Sequence, residues 1–367
     1  MHCLSYTLFT DGIDLTAVGF ANAALSSIVS DLLAANITSL SQRRSVFDKR
    51  AGRAGIIDVH SHVIPPWYLS LVPITGQNPT PTGWSLPVHL DFMTGEGIGH
   101  SIISISTPGS NVFYGNRIFT AALARLLNLQ LAAYRDLHSD KFSFFCSMPL
   151  PYVAAAKAEA DYCLDVLGGV GVMLLTNHEG LYLGNPTLKD FFNYMDNRAD
   201  KNIVSVHPHD PRIEINGQWF SANPTLTPCG FFEFYYETAR AYSDLTITQT
   251  IHNFTNIKFM VAHEGGAFPS IIDRMLKRFP TIYDATMEIF QFYFDSAGPT
   301  FFHQVSGLLG YDIPATQLCF GSDFPYSQPA SAQGANLNAV ISSTLIDDAA
   351  KNELFTTNAQ GLFGFPN

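Results

Sequence analysis

Five side chains able to bind a metal or move a proton punctuate the chain. His60 and His62 lie in IIDVHSHVIPP (56–66), His207 in VSVHPHDP, His263 in AHEGGAFP and Asp323 in FGSDFPYS. Each stands at the end of a short apolar run. Residues two apart in an extended chain project to one face, so His60 and His62 form a two-point grip for a cation, with Asp58 expected on the same side, deeper, as support. Neutral imidazoles with one carboxylate suit zinc or a similar first-row divalent ion, and manganese, nickel and cobalt are also compatible. Three or four protein ligands would leave a position for water or substrate, which is the pattern of a catalytic site. A lone histidine at a strand end is usually a hydrogen-bonded rim residue, and Asp323 alone could cap a turn. Five such residues at corresponding positions point instead to one metal site.

Eight apolar runs must position these residues: IIDVH, SIISIST, FSFFCSMPL, VGVMLLT, NIVSVHP, KFMVAH, IFQFYFD and QLCFGSD. Between them lie segments such as NRIFTAALARLLNLQLAAYRDL and GAFPSIIDRMLKRF, with apolar residues at three- and four-residue spacing. Near-continuous apolar strands separated by helices imply a parallel sheet covered on both faces, and eight units imply a closed (β/α)8 barrel of the TIM type. An open doubly wound sheet would carry a Gly-rich turn after its first strand, where this chain has HSHVIPP. In a barrel the strand ends converge on one mouth, which brings the five residues together. The fourth strand ends in VGVMLLTN, without a Lys, Glu or Cys to bridge two ions, so a mononuclear centre is expected. His2, His138, His178 and His252 fall in tail, helix or loop stretches, and His100 precedes its strand. The spacing does not fix the direction of His89, His209 or His303.

Of 367 residues, 47% are hydrophobic and 13% aromatic, enough for a large core. The net charge of −11, without a basic block, argues against nucleic acid and anionic membranes as partners. Residues 1–50 read as an N-terminal helical extension and 51–367 as the barrel domain. The apolar stretch near the N-terminus contains Asp14 and Asp31 and has no Lys or Arg before it, which fits neither a signal peptide nor a membrane span. Five scattered cysteines without a CxxC suggest a reducing, cytoplasmic location, in which the sequons at Asn36 and Asn253 and the dibasic Lys49-Arg50 are chance. Trp67, Trp84 and Phe92 could form a flat apolar slot for an aryl ring. Arg274 could support the site or an interface, against the plain reading of an exposed helix position.

Taken together, the four motifs resemble those of the amidohydrolase-related decarboxylases typified by aminocarboxymuconate semialdehyde decarboxylase, over about residues 55–366. The resemblance implies His60, His62, His207 and Asp323 as ligands of one divalent ion, zinc first and manganese second. His263 would lie near the metal-bound water or substrate, and the enzyme would be a homodimer. Within the family, GWSLPVHLDFMTGEGIGHSIISISTPG is most similar to the fungal 6-methylsalicylate decarboxylases of polyketide secondary metabolism, which form m-cresol and carbon dioxide. Relatives acting on resorcylate or salicylate often carry Glu where His60 stands, so neither the metal nor the exact acid is fixed. The implied chemistry is decarboxylation of an ortho-hydroxy aryl acid, with Asp323 delivering a proton to the carboxyl-bearing carbon and His263 as the other catalytic residue. A mononuclear hydrolase of a lactone or amide on the same barrel is the alternative.

Overall fold

The structure is a computed structural model that describes residues 55–72, 83–223, 225–288, 292–298, 300–326 and 335–365, together with Ala24 and Ser26. The expected N-terminal extension of residues 1–50 therefore lies outside the described residues, save those last two helical positions.

Eight parallel strands run in chain order around the molecule: β1 Ile56–Val63, β2 Ile98–Ile105, β3 Phe142–Ser147, β4 Gly171–Leu175, β5 Ile203–His207, β6 Lys258–Val261, β7 Phe292–Asp295 and β8 Leu318–Cys319. All eight coincide with the apolar runs. Helices alternate with them, including α1 Leu86–Glu96, α2 Arg117–Leu137, α3 Val153–Ala160, α4 Lys189–Asp196, α5 Glu233–Ile247, α6 Phe268–Leu276, α7 Pro280–Glu288 and α8 Phe301–Leu309. Local chemistry marks their ends. Ser85 and Asn116 cap α1 and α2 by accepting from Val88 N and Phe119 N, and α1 stops at Gly97 with φ +70°. Below the mouth, Ile57, Val59, Ile102, Phe145, Ile203, Met260 and Cys319 form an apolar plug packed against Ala359 and Phe365. No helix among the described residues is long and apolar enough to cross a membrane.

β8 is too short to close the ring by a regular ladder, and the segment that follows it does so. Val59 N donates to Phe320 O (2.8 Å), Asp323 N to His60 O (2.8 Å) and His62 N to Phe324 O (2.7 Å). Asp58 locks this seam. Its Oδ1 accepts from Ser322 N at 3.0 Å and His60 N at 3.1 Å, and its Oδ2 accepts from Ser322 Oγ at 2.7 Å and Ser101 Oγ at 3.2 Å. Complete burial raises its carboxyl to about 6 against the pull of the Ser322 donors.

The position of Asp58 corrects the sequence expectation. β1 pairs Asp58 with Ser101 but Ser61 with Ile103, so β1 carries one extra residue in this interval. Such a bulge breaks the two-residue alternation. Asp58 consequently sides with Ser61 and Ser101, whose hydroxyls are 2.7 Å apart, rather than lying beneath His60.

Two further differences concern loops and cysteines. The stretch after β5 is more than a plain loop: it contains a hairpin of Arg212–Ile215 and Gln218–Ser221 turning on Asn216-Gly217, both at positive φ. Asn-Gly between alternating residues is the local signal for that turn. Cys146 on β3 and Cys163 in the π-helical turn Asp161–Leu167 are joined as a disulfide, while Cys229 and Cys319 are free and buried. The packing of that turn against β3 brings together two residues that are 17 apart in sequence, and the inference of a reducing compartment loses the support of this pair.

If Asp58 holds the seam, Asp58→Ala strands two buried backbone N–H groups and should cost about 2–4 kcal/mol in denaturant unfolding. Asp58→Asn, which keeps one acceptor, should cost clearly less; equal stabilities of the two variants would remove Asp58 from this role.

Candidate active site

The bulge in β1 that turns Asp58 away leaves His60 and His62 two apart on the mouth side. Two chain approaches deliver the remaining groups. A Cβ at Gly321 would lie 2.9 Å from His60 Cβ and 3.0 Å from Ala297 Cβ, so only glycine lets the post-β8 segment pass this close to β1. Beyond β6, the chain turns sharply through His263, Glu264, Gly265 and Gly266, all at positive φ. A Cβ at Gly266 would meet Tyr235 O at 2.7 Å, which seats the turn against α5. His263 (φ +56°) and Asp323 (φ +54°) themselves occupy the left-handed region, at a typical cost of about 1–3 kcal/mol each. Such strain persists where the surrounding structure holds it, and here the glycine turn and the barrel seam do so.

The four residues His60, His62, His207 and Asp323 each offer one donor atom, all within 4.8 Å of one another. His60 Nε2 lies 3.0 Å from His62 Nε2, and Asp323 Oδ1 lies 3.5 Å from the former and 3.3 Å from the latter. The opposite ring nitrogens decide what these Nε2 atoms carry. His207 Nδ1 donates to Pro208 O at 2.7 Å, which a carbonyl can only accept. His60 Nδ1 meets the Asp295 carboxylate at 2.8 Å. His62 Nδ1 lies 3.2 Å from Ser104 Oγ, whose own proton goes to Ser61 O at 3.3 Å, so the hydroxyl accepts from the ring. All three imidazoles thus carry hydrogen on Nδ1, and in their neutral form they present Nε2 lone pairs to one point beside a carboxylate. Two lone pairs facing at 3.0 Å need a positive charge between them, either a proton, which the raised affinity of His60 would hold there, or a metal ion in its place, and orientation through the other nitrogen is the usual mark of metal-ligating histidines. The donor set fits a divalent ion.

Charge in this buried group is correspondingly strained. Burial lowers the proton affinity of His60, but the carboxylates of Asp295, Asp323 and Asp58 outweigh it and raise the imidazole to about 9. Burial, together with the neighbouring histidines, holds His62 below its ordinary value and His207 well below it. Burial opposes ionisation of Asp323, yet contacts with His263 and His62 hold its carboxyl well below the usual range.

His263 stands beside the four. Its Nε2 is 3.8 Å from Asp323 Oδ2, an ionic contact longer than a hydrogen bond, and its backbone N donates to Asp295 Oδ1 at 2.9 Å. Asp295, the last residue of β7, thereby positions both His60 and His263. Sequence reasoning passed over it, although it occupies the same strand-end position as the other polar residues. Ser104 was missed as well, because a serine within an apolar strand carries no signal of its own.

A cavity of about 600 Å³ opens onto this group. His207, His263 and Asp323 lie in its wall with Phe231, Phe232, Phe234 and Tyr235 on one side, and Thr107, Thr300, Gln304 and Tyr326 supply neutral polar groups. Among the described lining residues there is no Lys or Arg. Trp84 and Phe92 lie elsewhere: Trp84 is buried against Tyr134 and His89, and Phe92 stacks on Phe324 at 4.2 Å between ring centroids. Arg274 is exposed on α6. Of the histidines with undetermined direction, His89 is buried on α1 and His209 is buried behind Thr107, while His303 lies on α8.

Comparison with known proteins agrees with this architecture. The chain is 30% identical over 292 residues to the decarboxylase yanB of Aspergillus niger, covering 74% of this chain and 77% of that protein. It is 29% identical over 285 residues to the 6-methylsalicylic acid decarboxylase of Penicillium expansum, covering 73% and 84% respectively. The crystal structure of a 2,6-dihydroxybenzoate decarboxylase from Rhizobium superposes with a TM-score of 0.68 at 20% identity, over 84% of this chain and 98% of that one, and thus shares the fold. The model of the amidohydrolase family matches residues 57–365, from the first barrel strand almost to the C-terminus and through all four motifs, and the chain belongs to that family.

Proposed function

We propose that the protein is a metal-dependent carboxy-lyase that decarboxylates an ortho-hydroxy aryl carboxylic acid, with 6-methylsalicylate, converted to m-cresol and carbon dioxide in polyketide secondary metabolism, as the leading substrate. The observation that carries the reading is the pairing of a convergent three-histidine, one-aspartate group with a cavity of about 600 Å³ whose described lining is aromatic and neutral. Such a cavity suits a flat ring with one carboxylate. The kinship with decarboxylases of hydroxy aryl acids supports it independently.

His60, His62, His207 and Asp323 would hold the ion, and three imidazoles with one carboxylate favour zinc, with manganese as the second choice. When bound there, a divalent ion would supply the positive charge that anchors the carboxylate with its ortho hydroxyl and favours the phenolate. The remaining work falls to the chain. An aryl carboxylate cannot simply lose carbon dioxide, because the electron pair left on the ring has no acceptor, so a proton must reach the carboxyl-bearing carbon first. Asp323, in the cavity wall and within reach of His263, is the group to deliver it. His263, facing Asp323 Oδ2, would return the proton between turnovers. With the carbon protonated, the bond to the carboxyl group breaks, its electron pair restores the aromatic ring and carbon dioxide leaves. Phe231, Phe232 and Phe234 exclude water from one side of the ring.

Self-association fits the surface. Leu226 is 99% and Phe231 74% exposed, Ile213, Ile215 and Phe220 of the hairpin are exposed as well, and a homodimer would cover apolar side chains of this kind.

Metal-loaded protein should release m-cresol and carbon dioxide from 6-methylsalicylate, and chelation should abolish both; hydrolysis of an aryl lactone without carbon dioxide release would instead favour a hydrolase. Asp323→Asn should keep part of the bound metal by elemental analysis while turnover drops at least about 10³-fold, and near-normal turnover would rule out Asp323 as the proton donor. Light scattering at micromolar concentration should give the mass of a dimer, whereas a monomer mass would refute self-association.

A further inference from the structure

Behind the cavity wall runs a line of polar side chains that the proposed chemistry does not use. Thr107, at the end of β2, lines the cavity and is 7% exposed. Its Oγ1 lies 3.0 Å from His209 Nδ1, and His209 Nε2 lies 3.2 Å from the hydroxyl of Tyr114. The Arg212 guanidinium sits 6.0 Å from the Tyr114 ring centre, and its positive charge acts on the phenol.

Accounting for the protons fixes the direction of this chain. Beside that charge the Tyr114 hydroxyl is favoured with its lone pairs toward Arg212 and its proton toward His209 Nε2. Nε2 is then the acceptor and Nδ1 carries the hydrogen, in keeping with an imidazole that burial and the Arg212 charge hold neutral, down to about 3. His209 Nδ1–H therefore donates to Thr107 Oγ1. The Thr107 hydroxyl proton is left over, and no acceptor for it appears among the described residues, although the group faces a cavity. The opposite arrangement would turn the Tyr114 proton away from His209 and toward the Arg212 charge, which repels it.

We propose that Thr107 is a substrate-binding residue whose hydroxyl donates to a carboxylate oxygen of the aryl acid, and that His209 and Tyr114 are positioning residues that fix the direction of that donor. The proposal rests on the decarboxylase reading for the identity of the acid. It also explains how a cavity without a described Lys or Arg in its lining recognises a carboxylate beyond the ligand group. The contact belongs to the ground state, since the carboxylate it serves departs as neutral carbon dioxide. Its loss should therefore raise KM and leave kcat nearly unchanged.

The test is calorimetric binding of two ligands to the zinc-loaded protein: salicylate, which has the carboxylate, and m-cresol, which lacks it. Thr107→Val, nearly isosteric, should weaken salicylate about tenfold, the size of one hydrogen bond to a charged group, and leave m-cresol unchanged. Thr107→Ser should restore wild-type affinity, and Tyr114→Phe should weaken salicylate several-fold with m-cresol and the melting temperature unaffected. Equal salicylate affinity in the wild type and Thr107→Val, or parallel loss of both ligands, overturns the proposal. The two readings can fail separately: a wild type that decarboxylates 6-methylsalicylate beside an unaffected Thr107→Val condemns only the threonine, whereas selective salicylate loss in a protein without turnover condemns only the reaction.

Discussion

The site depends on the closure of the barrel between its first and last strands. Eight strands bring five polar residues to one rim only if the ring closes, and β8, two residues long, cannot close it alone. The segment Phe320–Phe324 bonds to β1 instead, and the buried carboxylate of Asp58 gathers donors from both sides of the join. This seam sets the distance between His60 and Asp323, because one of its bonds runs from Asp323 N to His60 O. The same residues that complete the fold therefore set the spacing of the donor group, and a loosened seam would separate those donors before it unfolded the rest.

Orientation follows from a ring of secondary partners. Asp295, Ser104 and the Pro208 carbonyl each engage one Nδ1, so three imidazoles that could take either tautomer are committed to one. Asp295 does this for His60 while holding the backbone of His263 with its other oxygen, coupling β7 to the turn after β6. The left-handed residues His263 and Asp323 are stable in that company because their neighbours, Gly266 against α5 and Gly321 against His60, leave no room for another path of the chain.

Much of this was legible in the sequence for a physical reason. Strands buried on both faces must be apolar throughout, so the eight runs announced the barrel, and its strand ends announced His60, His62, His207, His263 and Asp323. The parts that were not legible depend on details that periodicity does not carry. A single bulge residue turned Asp58 to the other face of β1. Asp295 closes a run whose strand signal is weak, and Thr107 and Ser104 look like ordinary strand polar residues until their partners are known. Trp84 and Phe92 show the converse: aromatic residues near a mouth in sequence are recruited by the core, Phe92 on α1 against Phe324 and Trp84, just before α1, against Tyr134.

The charge balance of the cavity explains why one carboxylate suits it and two would not. With the imidazoles neutral, as ligands of an ion must be, ionised Asp323 and Asp295 would carry two negative charges at this group, and a divalent ion there would cancel them. An aryl acid that enters as a monoanion would then add one negative charge, which could be shared among the ion, the proposed Thr107 donor and the other neutral polar groups of the wall. A second carboxylate would bring another charge into a wall whose described residues offer no cation to meet it, and a buried charge without a partner typically costs several kcal/mol. On the proposed reading, a preference for monoacids would follow from what the described lining lacks as much as from what it holds. The reaction then removes the carboxyl carbon as a neutral gas and adds a proton to the ring, a change that a cavity already balanced around one anion accommodates without exposing a new charge to its aromatic walls.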